Sequence, residues 1–319
     1  MMKQERILQI GRLLPWLEQT LADEFTLHRL VDESDPDGFL REHGAGFTGL
    51  VTPSWFGASA ALQASLPSLR VISNFGVGLD KLDLASAAAK GIAVGYTPDV
   101  LNDCVADLAV ALMLDVARRT VESDRFVRAG RWPEGGFGLG RQVSGARLGI
   151  VGLGRIGQTI ARRVAGFDMP VRYHARHPVP GVPWDHEPSL LTLARWCDFL
   201  VVIVSGGAGT RHLVNDEVLN ALGPQGFLVN VSRGSVIDEA ALVKALQEGR
   251  IAGAGLDVYE DEPNVPPALM ALDNVVLLPH IASNTHETRQ AMAERVLANL
   301  RGFFRDGRML SPAPLPPGP

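Results

Sequence analysis

Leu148-Gly149-Ile150-Val151-Gly152-Leu153-Gly154-Arg155-Ile156-Gly157 decides how this chain folds. A short apolar run of strand character enters G-x-G-x-x-G and leaves as a helical pattern, Ile156–Ala165, so strand, glycine turn and helix follow in the order of a βαβ unit. The glycines differ in what they permit. Gly152 allows the tight turn, Gly154 lets the backbone approach a pyrophosphate, and Gly157 lets the helix pack close to the strand. The helix start offers free N–H groups and a positive dipole end to phosphates. Arg155 adds a cation, and Leu153 and Ile156 complete the turn. The segment Gly152–Gly157 therefore predicts a dinucleotide site; a methyltransferase-like glycine turn is the rival reading, and the downstream motifs decide against it.

Outward from this point the chain alternates strands and helices. After Arg147–Val151, strands are predicted at Pro170–His174, Asp198–Val204, Gly226–Val231, Gly253–Val258 and Asn274–Leu278, with helices at Ser189–Trp196, Asp216–Leu222 and Glu239–Gln247. Before it, strands are predicted at Arg6–Leu13, Phe25–Leu30, Gly46–Thr52, Arg70–Phe75 and Ile92–Tyr96, with helices including Ala58–Leu66 and Asp83–Lys90. Two such series define an α/β protein with two parallel-sheet domains of Rossmann-like and flavodoxin-like type. Long helices are expected at Asn102–Arg119, with Asn102 as N-cap, and from Glu287 to about Arg305. The glycine-rich stretch Gly130–Gly145 carries Trp132, Phe137 and Leu139, apolar residues that need cover, and is expected to be an arm packing on a second subunit. The tail Ser311–Pro319 is expected to be loosely ordered.

The 319 residues, 46% hydrophobic and 20% charged, suit two globular domains. A formal charge of −5 gives no reason to expect nucleic acid or an anionic membrane as partner. Cys104 and Cys197 have no metal-ligand spacing, no metal site is expected, and a reducing compartment fits. The N-terminus lacks signal-peptide character and no apolar run is long enough to span a bilayer, so a cytoplasmic protein is expected.

The strand after the glycine turn indicates which nucleotide. It ends Val171-Arg172-Tyr173-His174-Ala175-Arg176-His177, and no Asp or Glu stands between Tyr173 and Trp184 to bond a ribose 2′-OH. Arg176 instead offers a guanidinium that can grip a 2′-phosphate; Arg172 alternates to another face. NADP(H) is the predicted cofactor, with NAD(H) also possible.

Three segments carry the chemistry: Asn230-Val231-Ser232-Arg233-Gly234, Gly255-Leu256-Asp257-Val258-Tyr259-Glu260-Asp261-Glu262-Pro263 and Pro279-His280-Ile281-Ala282-Ser283. Each follows a predicted strand at the sheet edge where α/β ligands bind. With the glycine turn, with Asn74-Phe75-Gly76-Val77-Gly78-Leu79-Asp80, with Val204–His212 and with Asn102–Met113, they resemble the D-isomer-specific 2-hydroxyacid dehydrogenase family over nearly the whole chain. Within it they are most similar to the NADPH-dependent glyoxylate/hydroxypyruvate and hydroxyphenylpyruvate reductases. Ser205 departs from a frequent proline of the family, which alters the expected loop shape there.

The resemblance implies an oxidoreductase that reduces small 2-oxo acids to D-2-hydroxy acids. His280 would be the acid/base, a role imidazole suits near neutral pH, Glu262 its partner, and Arg233 the guanidinium binding the carboxylate and polarising the carbonyl. By the same resemblance Val77 and Gly78 N–H groups hold the substrate carboxylate. Val51 and Thr52 form the opposite wall, and Ser283 touches substrate or carboxamide. Val105 packs on the nicotinamide, Thr210 contacts the adenosine side, and Val231 and Asp257 complete the cofactor site. The implied domains are 1–98 plus 286–319 for substrate and 99–285 for the dinucleotide, separated by a cleft. Hinges are expected near Thr97-Pro98 and Ser283-Asn284, and residues of about 119–145 form the arm of a homodimer. Two other functions share the fold. A formate dehydrogenase would pair its histidine with glutamine where Glu262 stands, and a dinucleotide-sensing corepressor would be expected to carry terminal extensions.

Overall fold

The computed structural model describes residues 2–316, in two compact units, 2–101 with 285–316 and 102–284. The first unit holds strands β1 (Arg6–Gln9), β2 (Thr26–Arg29), β3 (Gly49–Pro53), β4 (Val71–Phe75) and β5 (Ala93–Gly95), all parallel in the order β2-β1-β3-β4-β5. Its core is aliphatic and aromatic, with Leu8, Phe47, Leu50 and Ile72 fully buried.

Helix His286–Asp306 packs on β4, where the buried Ser73 hydroxyl donates to the Val296 carbonyl at 3.2 Å. Thr285 caps it by accepting the Thr288 N–H. Two helices that the sequence pattern did not reveal, Pro15–Glu24 and Pro36–His43, each begin with proline in the first turn. The first buries Leu17 and Leu21 completely, about 1.5–3 kcal/mol of transfer free energy apiece. The strand expected to reach Leu13 stops at Gln9, because Gly11 turns the chain at φ +69° and the Phe56 ring lies against it.

The tail departs from the loose order expected of it. Pro312 bridges Gly95 antiparallel, Ala313 N–H donates to Val94 at 2.7 Å, and Ser311 is buried against Asn299 and Tyr96. Residues 311–313 thus extend the edge at β5, while 314–316 are exposed and in no regular element; the rest of the expected loose tail, 317–319, lies outside the described residues.

In the second unit, β6 (Leu148–Val151), β7 (Val171–His174), β8 (Asp185–His186), β9 (Phe199–Val202), β10 (Phe227–Asn230), β11 (Gly253–Leu256) and β12 (Val275–Leu277) form one parallel sheet. Its order is β12-β11-β10-β9-β6-β7-β8, so chain direction across the sheet reverses between β6 and β9. That is the doubly wound topology, whose ligand crevice lies at the reversal, beyond the strands' carboxyl ends. Two-residue β8 was too short to predict. Helix Asn102–Arg118 packs against β10, β11 and β12, with Val105, Ala109, Leu112 and Val116 buried. In residues 130–145 Phe137 folds back onto Phe126 and Arg119, while Trp132 and Leu139 are 67% and 96% exposed.

Candidate active site

At the topological reversal the glycine turn follows β6. Helix Arg155–Arg163 starts at Gly154, a cap residue with no side chain of its own to bond the first turn. A Cβ on Gly154 would meet nothing within 4 Å, whereas one on Gly157 would stand 2.2 Å from the Gly152 carbonyl. The turn is therefore open on the side a pyrophosphate approaches and closed on the side where helix meets strand, and these residues fit a dinucleotide. Gly152 N–H donates to the His174 carbonyl at 2.9 Å, which sets the end of β7 beside the turn.

Two residues further, Arg176 is exposed and has no hydrogen-bond or ion-pair partner among the described residues. Arg172 instead lies over Trp196, 4.5 Å from its ring centroid. Beyond β9, Thr210 donates to the Ser205 carbonyl at 2.7 Å and closes the glycine-rich loop 205–210 on itself. Val105 and Val231 are nearly buried in the same unit.

Arg233, Glu262 and His280 follow β10, β11 and β12. The register sets Asn230 opposite Leu256 and Leu256 opposite Leu277, so the three segments leave the sheet at one level. Glu262 Oε2 lies 2.7 Å from His280 Nδ1, and Oε1 accepts the Tyr259 N–H at 3.1 Å. An ionised carboxylate only accepts, so Nδ1 carries the proton and Nε2 is the nitrogen left for chemistry. Burial by itself raises the Glu262 carboxyl; the His280 hydrogen bond and charge, the Tyr259 N–H and the Arg233 charge outweigh it and hold the group below its ordinary range. Half-buried Arg233 donates through Nη1 to the Ser232 carbonyl at 2.7 Å.

Behind these side chains stand two buried anchors: Asn230, which sequence reasoning did not single out, and Asp257, which it placed in the cofactor site without the backbone bonds it makes. Asn230 Nδ2 donates to the Arg233 carbonyl at 3.0 Å, and its Oδ1 accepts from Ser232 N–H and Oγ. Asp257, expected at the nicotinamide end, is fully buried; its two oxygens accept the Ile281 and Ala282 N–H groups at 2.7 and 2.9 Å. It thereby ties down the segment that holds His280 at φ +54°, a left-handed conformation rare for a residue with a side chain. Burial pushes the Asp257 carboxyl up despite those two bonds.

In the other unit Val51 is fully buried inside β3, with its carbonyl accepting the Ile10 N–H. Thr52 is buried too, donating to the Gly57 carbonyl at 2.8 Å, while Val77 and Gly78 stand partly exposed beyond β4. Ser283 is half-buried after β12. Among the described residues no group of three His, Cys, Asp or Glu is placed to hold a metal, and no helix is long and apolar enough to cross a membrane.

A doubly wound sheet with an open glycine turn, and a His–Glu pair beside an arginine, define a dinucleotide-dependent α/β enzyme. Residues 110–282 match the family model described as D-isomer specific 2-hydroxyacid dehydrogenase, NAD binding domain. Over 306 residues the chain is 44% identical to glyoxylate/hydroxypyruvate reductase A of Arabidopsis thaliana, spanning 96% of this chain and 98% of that one. It is 45% identical over 306 residues to the 2-ketogluconate reductase of Gluconobacter oxydans, spanning 96% and 97%. The crystal structure of an NADPH-dependent glyoxylate/hydroxypyruvate reductase from Sinorhizobium meliloti, bound to NADP and malonate, superposes with a TM-score of 0.91 at 43% identity, covering 99% and 98%. The chain belongs to the D-isomer-specific 2-hydroxyacid dehydrogenase family and is an oxidoreductase using NAD(P).

Proposed function

We propose that this enzyme is an NADPH-preferring reductase of small 2-oxo acids, with glyoxylate or hydroxypyruvate as the model substrates, giving D-2-hydroxy acids. The observation that carries the reading is the His280–Glu262 pair at 2.7 Å, on strand ends level with that of Arg233. Reduction requires a proton at the carbonyl oxygen, and His280 Nε2 delivers it. Glu262 holds Nδ1–H, which fixes the ring and stabilises the imidazolium until the proton leaves. Arg233 engages the substrate carboxylate and polarises the carbonyl. The Val77 and Gly78 N–H groups hold the carboxylate, and Ser283 contacts substrate or carboxamide. When bound, the reduced nicotinamide supplies the hydride; Gly152–Gly157 hold its pyrophosphate, Val105 and Val231 flank the ring, and Thr210 serves the adenosine side.

The preference for NADPH rests on Arg176, exposed and without a hydrogen-bond or ion-pair partner among the described residues, two positions past the end of β7, with no carboxylate nearby in sequence to take a ribose hydroxyl. The same reading gives residues 1–98 with 286–319 the substrate role and 99–285 the dinucleotide role. It makes the protein a cytoplasmic homodimer joined through the arm of residues 119–145. The test is kinetic: kcat/KM for glyoxylate and hydroxypyruvate with NADPH and with NADH, repeated in Arg176→Asp. A fall in the NADPH:NADH ratio of roughly tenfold or more supports the assignment, the size expected for losing a charge-assisted phosphate contact. An unchanged ratio refutes it.

A further inference from the structure

Asn74 is the next-to-last residue of β4, fully buried beside a core cluster of apolar side chains. Its Nδ2 lies 2.9 Å from Ser54 Oγ, 3.1 Å from the Gly76 carbonyl and 3.1 Å from the Gly78 carbonyl. Two carbonyls on one side require the donor end of the amide there, so the orientation of the group is set by its partners. Its Oδ1 is buried and has no hydrogen-bond partner among the described residues. A buried acceptor left unpaired is costly, so the donor end must serve something that offsets it.

What it serves is the turn at residues 76–78. In a trans peptide the C=O and the following N–H point in opposite directions. Drawing the Gly76 carbonyl inward therefore turns the Val77 N–H outward. Holding the Gly78 carbonyl fixes the other flank, with the Gly78 N–H between the two. The Thr97 N–H also donates to Gly76, at 3.0 Å. The turn lies so close to Ser54 that a Cβ on Gly76 would stand 2.0 Å from Ser54 Oγ, and Gly76 adopts φ +147°. No side chain can replace hydrogen there without moving the turn.

We propose that Asn74, seconded by Ser54, is a positioning residue for substrate: it aims the N–H groups of Val77 and Gly78 at the carboxylate of the 2-oxo acid. This rests on the functional reading above, which gives those N–H groups the carboxylate. Asn74 touches no substrate itself and acts only through the turn.

The test is Asn74→Ala in the full-length enzyme. The readouts are KM and kcat for glyoxylate with saturating NADPH, Ki for oxamate (a carboxylate that is not reduced), and Kd for NADPH by fluorescence titration. Losing aim at one anion contact raises KM and Ki together by about tenfold or more, changes kcat by less than about threefold and leaves the NADPH Kd unaltered. A structural role alone lowers Tm and the active fraction but leaves KM and Ki of the surviving enzyme at wild-type values, and that result overturns the proposal. If Asn74→Ala does not fold, Ser54→Ala decides. Removing one of the three partners raises the same two constants about two- to fivefold, and unchanged constants refute the assignment. A wild-type enzyme that reduces no 2-oxo acid and binds no oxamate refutes the functional reading; an active wild type with unaffected variants refutes only the role of Asn74.

Discussion

Gly234→Ala tests whether the site is built by backbone packing. The segment carrying Arg233 rests on the turn before Glu262 with no room between them. A Cβ on Gly234 would lie 1.8 Å from the Tyr259 carbonyl carbon, 2.0 Å from its oxygen and 2.3 Å from the Glu260 nitrogen. These are main-chain atoms, so no rotamer change relieves the overlap. Restoring ordinary contact at 3.4 Å requires the two segments to part by 3.4 − 1.8 = 1.6 Å. Each segment is tied within itself, by Asn230 Nδ2 to the Arg233 carbonyl at 3.0 Å and by Tyr259 N–H to Glu262 Oε1 at 3.1 Å, so parting them carries Arg233 or Glu262 along. Overpacking of this kind costs about 1–3 kcal/mol. For a unit of 183 residues (102–284), each kcal/mol lowers Tm by about 2–4 °C, so a drop of about 2–12 °C is expected. Catalysis suffers more, because displacing a catalytic group by 1 Å costs about 100-fold. The assay pairs scanning calorimetry with kcat/KM for NADPH-dependent reduction of glyoxylate. Gly166→Ala is the control: its Cβ would meet nothing within 4 Å, and both readouts should stay at wild-type values. A Gly234→Ala enzyme with wild-type Tm refutes the packing argument; one that melts earlier yet keeps wild-type kcat/KM refutes its connection to the site.

The Arg147–Asp198 pair joins the residue before β6 to the residue before β9, and the Arg147 hydrogen bonds hold the Asp198 carboxyl below its ordinary range. A depressed carboxylate stabilises the fold above its unfolded pKa, near 3.9, and that gain is lost as pH falls through the lower folded value. With Arg147 46% exposed, Asp198→Asn should cost about 1 kcal/mol at pH 7, with the Tm difference from wild type closing as the pH falls below the unfolded value and through the lower folded one. His280→Ala should lower kcat by about 10²–10⁴-fold, the usual worth of a general acid, without changing nucleotide affinity. Glu262→Gln keeps an acceptor for Nδ1–H but removes the charge, and single-turnover rates should fall less than in His280→Ala; equal losses would show that Glu262 does more than orient and stabilise. Leu139→Glu, at a residue 96% exposed on the arm, should convert a dimer to monomer in sedimentation velocity at micromolar concentration, and wild-type protein already monomeric there contradicts the proposed assembly.

How much was legible in the chain follows from how far each signal reaches. The glycine turn was readable because strand, turn and helix lie within Leu148–Ala165 and obey local rules. The three strand-end segments were readable as motifs, but their common level is a register, and it depends on pairings such as Asn230 with Leu256 across 26 positions of sequence. Helix Pro15–Glu24 stayed hidden because Arg6–Leu13 reads as one strand running up to it; what ends the strand is Gly11 against the ring of Phe56, a distant partner. The tail is Pro-rich and patternless, and its order comes from Tyr96, Asn299 and the edge at β5.

Asn74, Asn230 and Asp257 are the sharpest case. Each was visible inside a quoted motif, yet the pattern did not reveal what its side chain holds. All three stand within one residue of the carboxyl end of a parallel strand, at most 1% exposed, in positions where an aliphatic residue would pack without desolvation cost. Their partners are backbone groups of the next few residues or of the neighbouring strand's loop: carbonyls at Gly76, Gly78 and Arg233, N–H groups at Ser232, Ile281 and Ala282. A parallel sheet stops supplying hydrogen bonds where its strands end, yet the loops beyond must hold side chains and N–H groups to fractions of an ångström. A buried amide or carboxylate at the last rung continues that supply into the loop. Polar residues in the core are therefore local exceptions to burial rules that the geometry of the candidate site requires, and the unpaired Asn74 Oδ1 and the raised Asp257 carboxyl mark how much stability is given up for it.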